Sequence, residues 1–173
     1  MGVNMALKKS SETVSISSTV TESAANTFTQ TNVPLPLSPL DKEVFVVTMV
    51  NLDPDAPDSV VGTSTDVNVS ITTTNTGGVG TIANSQVLAA ARSQIICNGG
   101  MTADGGIPFS REDPLAADPN SGYVGIIATD DFFLNIAGTN NGNPKTCRAR
   151  IYGYRAKADA ATYAALVQSE LLS

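Results

Sequence analysis

The stretch Gly122–Lys157 reads GYVGIIATDDFFLNIAGTNNGNPKTCRARIYGYRAK and decides the fold class. Tyr123–Ala128 is apolar and β-branched, and Phe132–Ala137 alternates between apolar and other side chains with a period of two, which is typical of strands. The Asn-Gly pair within Gly138–Pro144 favours a turn, because both residues tolerate positive φ. Lys145–Lys157 then alternates again. Consecutive strands joined by short turns predict an all-β domain with an antiparallel meander or Greek-key sheet.

The last of these strands has two different faces. One face carries Cys147, Ala149, Ile151 and Gly153, and the other carries Arg148, Arg150, Tyr152 and Tyr154. Arginine and tyrosine are enriched in protein interfaces, so we predict a subunit interface on the second face. The alternative is a small platform for single-stranded nucleic acid, which uses the same residue types. The acidic composition of the chain favours the interface.

Composition limits the function classes. The 173 residues fit one domain, and only 15% of them are charged, against about a quarter in typical proteins. The net charge of −6 argues against a domain wrapped in nucleic acid. The chain has no histidine, the commonest general base and metal ligand. We expect no transmembrane segment, since no run reaches roughly 18 apolar residues, and no export through the Sec route, since the first residues lack an apolar core.

Residues 1–40 have the composition of an extended N-terminal arm. Val14 and Ile16 alternate weakly, and three prolines favour an extended path after residue 33. A disordered tail is the alternative, but the arm contains apolar side chains that a tail would not need. We predict that these side chains contact a neighbouring subunit: Phe28, Val33, Leu35 and Leu37. Only Lys8 and Lys9 are basic, so a genome-neutralising arm is not indicated.

Glu43–Leu52 (EVFVVTMVNL) is apolar on both faces, which predicts a central strand covered on two sides. It ends at three aspartates, Asp53, Asp55 and Asp58. Clustered carboxylates are the ligands of calcium, so these residues are weak candidates for a calcium site. The prolines between them and the missing distal glutamate favour a rigid acidic turn instead.

Two further segments complete the predicted sandwich domain of residues 41–173. Thr65–Thr74 places Val67, Val69 and Ile71 on one face and polar side chains on the other, which predicts a half-exposed strand. Asn84–Ile96 is ambiguous between a helix capped by Asn84 or Ser85 and one long strand; we favour a short helix that runs into a strand.

A C-terminal helix is predicted over residues 159–171. Asp159 is suited to the N-cap, and apolar residues recur with helical spacing at Tyr163, Leu166, Val167 and Leu171. This amphipathic helix either lies on the sheet or docks on a neighbour, and the first arrangement is favoured.

No residue set points to catalysis or to a cofactor. Asp130 and Asp131 are adjacent, so on a strand they point to opposite faces and cannot flank one substrate. Cys97 and Cys147 lack the spacing of a zinc site, and we interpret them as two small buried hydrophobic residues; a disulfide between them is left open. The chain is therefore predicted not to be an enzyme and to use no cofactor and no small-molecule substrate.

The end of the chain, DDFFLNIAGTNNGNPKTCRARIYGYRAKADAATYAALVQSELLS, resembles the close of single jelly-roll major capsid proteins of icosahedral viruses, in particular viruses of prokaryotes known from environmental sequence. The resemblance covers Ala128–Leu172, about a quarter of the chain. It implies an eight-stranded jelly-roll sandwich that assembles with copies of itself into a closed shell. It also implies a location in the virion after synthesis in the host cytoplasm, and only weak or indirect contact with nucleic acid. Whether a second coat protein co-assembles stays open.

Two alternatives remain. One is a non-catalytic cell-surface or fibre β-sandwich, such as a carbohydrate-binding adhesin, although the chain has no tryptophan for a sugar platform. The other is a monomeric partner-binding domain, which the low charge content disfavours.

Overall fold

The structure, a computed structural model, describes residues 7–97, 107–111, 115–117 and 120–172. Within these residues the chain is mostly β, with two antiparallel sheets that enclose a core and one C-terminal helix. The elements are β1 (Lys8–Lys9), β2 (Val14–Thr21), β3 (Thr29–Pro34), β4 (Glu43–Pro54), β5 (Thr65–Thr72), β6 (Val87–Ile96), β7 (Ile107–Arg111), β8 (Leu115–Ala116), β9 (Gly125–Ile127), β10 (Asp131–Thr139), β11 (Thr146–Lys157) and α1 (Ala160–Leu171). The all-β class is confirmed, while the described residues form eleven strands where eight were expected.

The strands pair in a nested order. In the first sheet β11 lies between β2 and β4, β9 pairs with the far side of β4, and β1 and β8 are short additions to β11 and β4. The second sheet has the order β3-β10-β5-β6-β7. Eight of the strands therefore pair from the outside of the sequence inward, as β2 with β11, β3 with β10, β4 with β9 and β5 with β6. The chain resembles one long hairpin rolled into two sheets.

β4 is buried on both faces, as its sequence predicts. Phe45, Val47 and Val50 point into the core between the two sheets. Val44 and Val46 point the other way, into a second apolar cluster beneath α1. The strand is apolar throughout because one face meets the opposite sheet and the other meets the helix.

The alternation in β10 and β11 also places the predicted side chains in the core. The buried core residues of these strands are Phe132, Leu134, Ile136, Cys147, Ala149 and Ile151. Burial raises the pKa of the Cys147 thiol to about 12, so this thiol is a packing group and not a nucleophile. Cys97 is only half-buried, and the two cysteines do not pair with each other.

β5 is not half-exposed, which corrects the sequence prediction. Its polar face is buried because the segment after the strand folds back over it, with the Gly80 amide donating to Ser70 Oγ at 3.3 Å. The Asn135 side-chain amide on β10 donates to Ser70 Oγ and to Thr72 Oγ1 at 3.2 and 3.1 Å, and Gln30 donates to Asn135 Oδ1 at 2.7 Å. This network supplies the hydrogen bonds that buried polar groups need.

The predicted short helix within residues 84–96 is also wrong. Asn84 lies in a turn, accepting a hydrogen bond at its carbonyl oxygen from the Val87 amide at 3.1 Å, and the rest of the segment is β6. Ala89, Ala91 and Ser93 are buried at every second position, which is the period of a strand. Pairing with β5 on one side and β7 on the other overrides the helical preference of the alanines.

The described part of the predicted arm, residues 7–40, supplies β1, β2 and β3 to the two sheets of its own chain. Val33 and Leu35, which we predicted as subunit contacts, lie in the core and are 7% and 2% exposed. They face inward because β3 pairs with β10 and brings Val33 beside Phe132. These two residues are therefore core residues, and that part of the interface prediction is corrected.

The C-terminal helix begins and packs as predicted. Asp159 Oδ1 accepts a hydrogen bond from the Thr162 amide at 2.7 Å, and the helix lies on the outer face of the first sheet, where Tyr163, Leu166 and Val167 pack against the second cluster. Leu171, expected on the same stripe, is 70% exposed, because the inward position of that turn belongs to Glu170. None of the helices in the described residues has the length and apolar character needed to cross a membrane.

Glu170 attaches the end of α1 to the sheet. Its carboxylate is buried and accepts hydrogen bonds from the amides of Ala128 and Thr129 at 2.8 and 3.0 Å. Burial raises the pKa of this carboxyl group above its ordinary value, outweighing the two amides that lower it, and the charge of nearby Asp131 raises it further. A carboxylate in the last turn of a helix is also opposed by the helix dipole.

Below pH 4.5, Glu170→Ala should lower the free energy of unfolding by about 1–3 kcal/mol, because two buried amides lose their acceptor. The raised pKa gives the wild type a pH dependence that the variant lacks. The contribution of Glu170 to the stability of the wild type is complete below the ordinary carboxyl pKa of 4.5. It is lost as the pH rises through the higher pKa that Glu170 has in the folded protein. Urea titrations over a pH series measure both effects, with Gln168→Ala on the exposed side of α1 as the control. Equal stability of the wild type and Glu170→Ala at every pH would contradict this attachment.

Gly153 lies opposite a β-bulge in β4, where Thr48 is the extra residue. The register between β11 and β4 shifts between Tyr152 and Gly153, and a Cβ at this glycine would overlap the Val46 carbonyl oxygen and the ring of Phe45. Only glycine lets the two strands approach this closely.

Gly153→Ala should therefore lower the free energy of unfolding by about 1–3 kcal/mol, since backbone and ring must both shift. Gly77→Ala is the matched control, because a Cβ there meets nothing within 4 Å. Chemical denaturation of the two variants measures the difference. Equal effects of the two substitutions would show that the close approach at Gly153 has no energetic weight.

Candidate interaction surface

The outer face of the first sheet is divided in two at the bulge. Beyond it, Tyr154 and Ala156 of β11 lie in the cluster beneath α1. Before it, no element in the described ranges covers the outward side chains of β2, β11 and β4, and Arg148 and Arg150 are exposed. This half of the sheet carries residues of the predicted interface and stays accessible to a partner.

The outward side chains of this half form rows across three strands, because residues that are partners in register share a face. We call this surface the exposed ladder. Its rows are Ser15, Tyr152 and Met49; Ser17, Arg150 and Asn51; and Thr19, Arg148 and Asp53. A groove of about 390 Å³ runs along the last two rows. The surface combines short hydroxyl and amide side chains with two guanidinium groups.

The two arginines of the ladder have different surroundings. Arg148 donates to Asp55 Oδ1 at 3.0 Å and lies 4.0 Å from Asp53; the hydrogen bond to Asp55 holds the pKa of Arg148 above its ordinary value. Arg150 donates from Nε to Ser17 Oγ at 3.2 Å, and no carboxylate in the described residues lies within ion-pair distance of it. Of the two arginines, Arg150 is therefore the one whose guanidinium group can form an ion pair with a partner.

Of the predicted interface residues, Arg148, Arg150 and Tyr152 lie together on the ladder. Tyr154 lies on the same outer face but does not join them, because α1 covers that part of the face. Its ring lies in the cluster beneath α1, 5.0 Å from the Lys9 ammonium group. The two remaining arm residues lie elsewhere. Phe28 is half-buried in the connection between β2 and β3, and Leu37 packs on the core.

The three aspartates of the weak calcium candidate bind groups of the chain itself. Asp55 Oδ2 accepts a hydrogen bond from the Thr146 amide at 3.0 Å, and Asp55 Oδ1 accepts one from the Arg148 guanidinium group. Asp58 is paired with Lys145 Nζ at 2.5 Å and also accepts from the Gly142 amide at 2.9 Å. In the part of the chain that the structure describes, no three metal-ligating side chains come together.

The Asp58 pair belongs to a polar cluster at one end of the sandwich that the sequence did not indicate. Glu22, only 3% exposed, accepts from the Gly138 and Lys145 amides at 2.7 and 2.9 Å. Asn141 receives a hydrogen bond from the Asn26 side-chain amide at 2.8 Å. The cluster joins the three connections β2–β3, β4–β5 and β10–β11. Its partners lie more than 80 residues apart in sequence, so no local pattern could have revealed it.

Comparison with known proteins adds little. No protein-family model matches this chain, and no curated protein matches it. Among solved structures, a chain of desmodium yellow mottle tymovirus is 13% identical over 85% of this chain and 87% of its own length, with a TM-score of 0.31. A chain in a structure of infectious bursal disease virus Gt strain is 10% identical over 89% of this chain but only 32% of its own length, with a TM-score of 0.21. At these values neither likeness carries an argument about fold or function.

Asp58→Asn should lower the free energy of unfolding by about 1–3 kcal/mol at neutral pH, because Lys145 loses its partner while remaining buried. The hydrogen bond from Lys145 lowers the pKa of Asp58 below 3.8. The difference in the free energy of unfolding between wild type and variant should thus be complete above pH 3.8. It should vanish as the pH falls through the lower pKa that Asp58 has in the folded protein. Denaturation curves between neutral and acid pH test this. Asp53→Asn is the exposed control, and a loss equally large in the control would contradict a specific role for Asp58.

Proposed function

We propose that this protein is a single jelly-roll coat protein that assembles with copies of itself into a closed icosahedral viral shell. The observation that carries the proposal is the strand order. Setting aside β1 and β8, which have two residues each, and β7, which is the fifth strand of the second sheet, eight strands remain. They lie four in each sheet, as β2-β11-β4-β9 and β3-β10-β5-β6. Each strand pairs with its counterpart counted from the other end of the set.

That nested order is the one expected of a jelly roll, in which two Greek keys are rolled into facing sheets. Viral coats, lectins and cupins share this architecture. The chain has no histidine to serve as the usual metal ligand of an enzyme site. The resemblance of residues 128–172 to the close of coat proteins, and the low content of charged residues, favour the shell over a sugar-binding domain.

The exposed ladder is suited to contact between subunits. Its short side chains allow close approach, and arginine and tyrosine are the residues that most often dominate binding energy in interfaces. Arg150 and Tyr152 lie in neighbouring rows of the same strand. A carboxylate on the adjoining copy would complete the pairing of Arg150.

The proposed partners follow from the charge distribution. Copies of the chain are the main partner, and a second coat protein could occupy positions that this chain does not fill. With a net charge of −6 and only two basic residues among the first 40, contact with nucleic acid is weak or indirect in this proposal. In this proposal the protein is located in the virion, after synthesis in the host cytoplasm.

Arg150→Glu and Tyr152→Ala should each weaken self-association about tenfold or more, because interface arginines and tyrosines commonly contribute more than 1.4 kcal/mol. Both variants should unfold at the wild-type urea concentration, since these side chains lie outside the core. Sedimentation velocity over a concentration series measures association. Lys42→Glu, the same charge change in an exposed turn, is the control and should assemble as the wild type does.

Two results would contradict the proposal. Unfolding of both ladder variants would show that this face supports the fold of the monomer and not its association. A wild-type chain that sediments as a monomer near 17.8 kDa at every concentration and salt would exclude a self-assembling coat protein.

A further inference from the structure

β2 is an edge strand whose outer side faces away from its own sheet. Its register with β11 continues to Glu22, where the amide donates to the Lys145 carbonyl oxygen at 2.9 Å. Antiparallel strands turn their backbone groups alternately toward and away from the partner. Counting back from Glu22, the backbone N–H and C=O groups of Ser15, Ser17, Thr19 and Thr21 point away from β11. No acceptor or donor for these outward groups occurs among the described residues.

β2 also lacks the features that keep edge strands apart. Natural edges are protected by charged residues, prolines, bulges or short length. β2 reads VSISSTVT over eight residues, with neither charge nor proline, and its register with β11 is unbroken. The other edges differ: β3 ends at Pro34, β7 contains Pro108, and β8 and β9 have only two and three residues. Only β2 among these edges is long and unprotected.

We propose that β2 pairs edge to edge with β2 of a second copy, antiparallel about a two-fold axis, so that the first sheets of two subunits become one continuous sheet. The inference rests on the proposed function and names one of its contacts. An exposed row of N–H and C=O groups is best satisfied by another strand. An identical strand supplies equally many donors and acceptors.

The sequence of β2 allows this pairing in a favourable register. With the two-fold axis at Ser18, Ser17 of one copy lies opposite Thr19 of the other, and both belong to the set with outward backbone groups. On the inner face, Ile16 then lies opposite Val20, so apolar side chains meet across the axis. No charged side chain of β2 opposes another, which matters for two copies that each carry a net charge of −6. The exposed ladder would continue across the axis.

Cysteine cross-linking tests the register directly. Residues opposed in a non-hydrogen-bonded antiparallel pair have Cβ atoms close enough for a disulfide. Ser18→Cys should therefore give a covalent dimer on mild oxidation, at twice the 17.8 kDa of the chain, whereas the wild type and Ser85→Cys in an exposed turn should not. Ser17→Cys cross-links instead if the axis lies at Ser17, which also supports edge pairing.

Ser17→Pro tests the same contact without a cross-link. On the backbone, proline removes only an outward N–H here, and edge strands tolerate proline at such positions. It also removes the exposed Ser17 Oγ, which accepts from Arg150 Nε at 3.2 Å. The variant should keep the wild-type unfolding midpoint and associate about tenfold more weakly or worse, because the hydrogen bonds of the pair are lost. If the variant proves unstable, the cysteine variants decide alone.

The outcomes separate this contact from the proposed function. If the wild type assembles while Ser17→Cys and Ser18→Cys both fail to cross-link, edge pairing is overturned and the shell proposal stands. Undiminished assembly of a folded Ser17→Pro variant likewise overturns edge pairing alone. A wild-type chain that remains monomeric overturns both.

Discussion

The pairing of β11 with both β2 and β4 is the constraint on which the rest of the structure depends. β11 meets β4 over eleven residue pairs and receives β1 and β2 on its other side. The last strand of the chain thus lies in the middle of the first sheet, between a strand from the beginning of the sequence and the most apolar strand. The N-terminal segment is therefore part of the sandwich, and the sheet cannot close before nearly the whole chain is present.

The outer face of that sheet is divided close to the β4 bulge that lies opposite Tyr152 and Gly153. One half is apolar and is covered by α1, which is attached by Glu170 to the connection before β10. The other half has the short polar side chains and arginines of the exposed ladder. The same outer face thus has one half used for folding, beneath α1, and one half available for association. The uncharged edge of β2 borders the second of these.

Local patterns were sufficient where a residue's neighbours determine its environment. The two-faced burial of β4, the alternation in β10 and the capped C-terminal helix could all be read directly from sequence. Prediction failed where distant segments decide. The alanines of β6 favour a helix when the segment is considered alone, and only its pairing with β5 makes it a strand. The polar face of β5 is buried by a loop whose position the sequence does not reveal. Glu22 and Glu170 were missed because their partners lie about 120 and 40 residues away. Of the site, Arg148, Arg150, Tyr152 and Tyr154 lie on the one strand face predicted for them, but the sequence did not reveal that α1 covers Tyr154.

Self-assembly is the central claim, and electron microscopy of the purified chain, taken from a fraction whose mass is known from light scattering, tests it most directly. The account predicts closed particles of uniform diameter. A homogeneous population of monomers near 17.8 kDa, unchanged across salt and protein concentration, would contradict it.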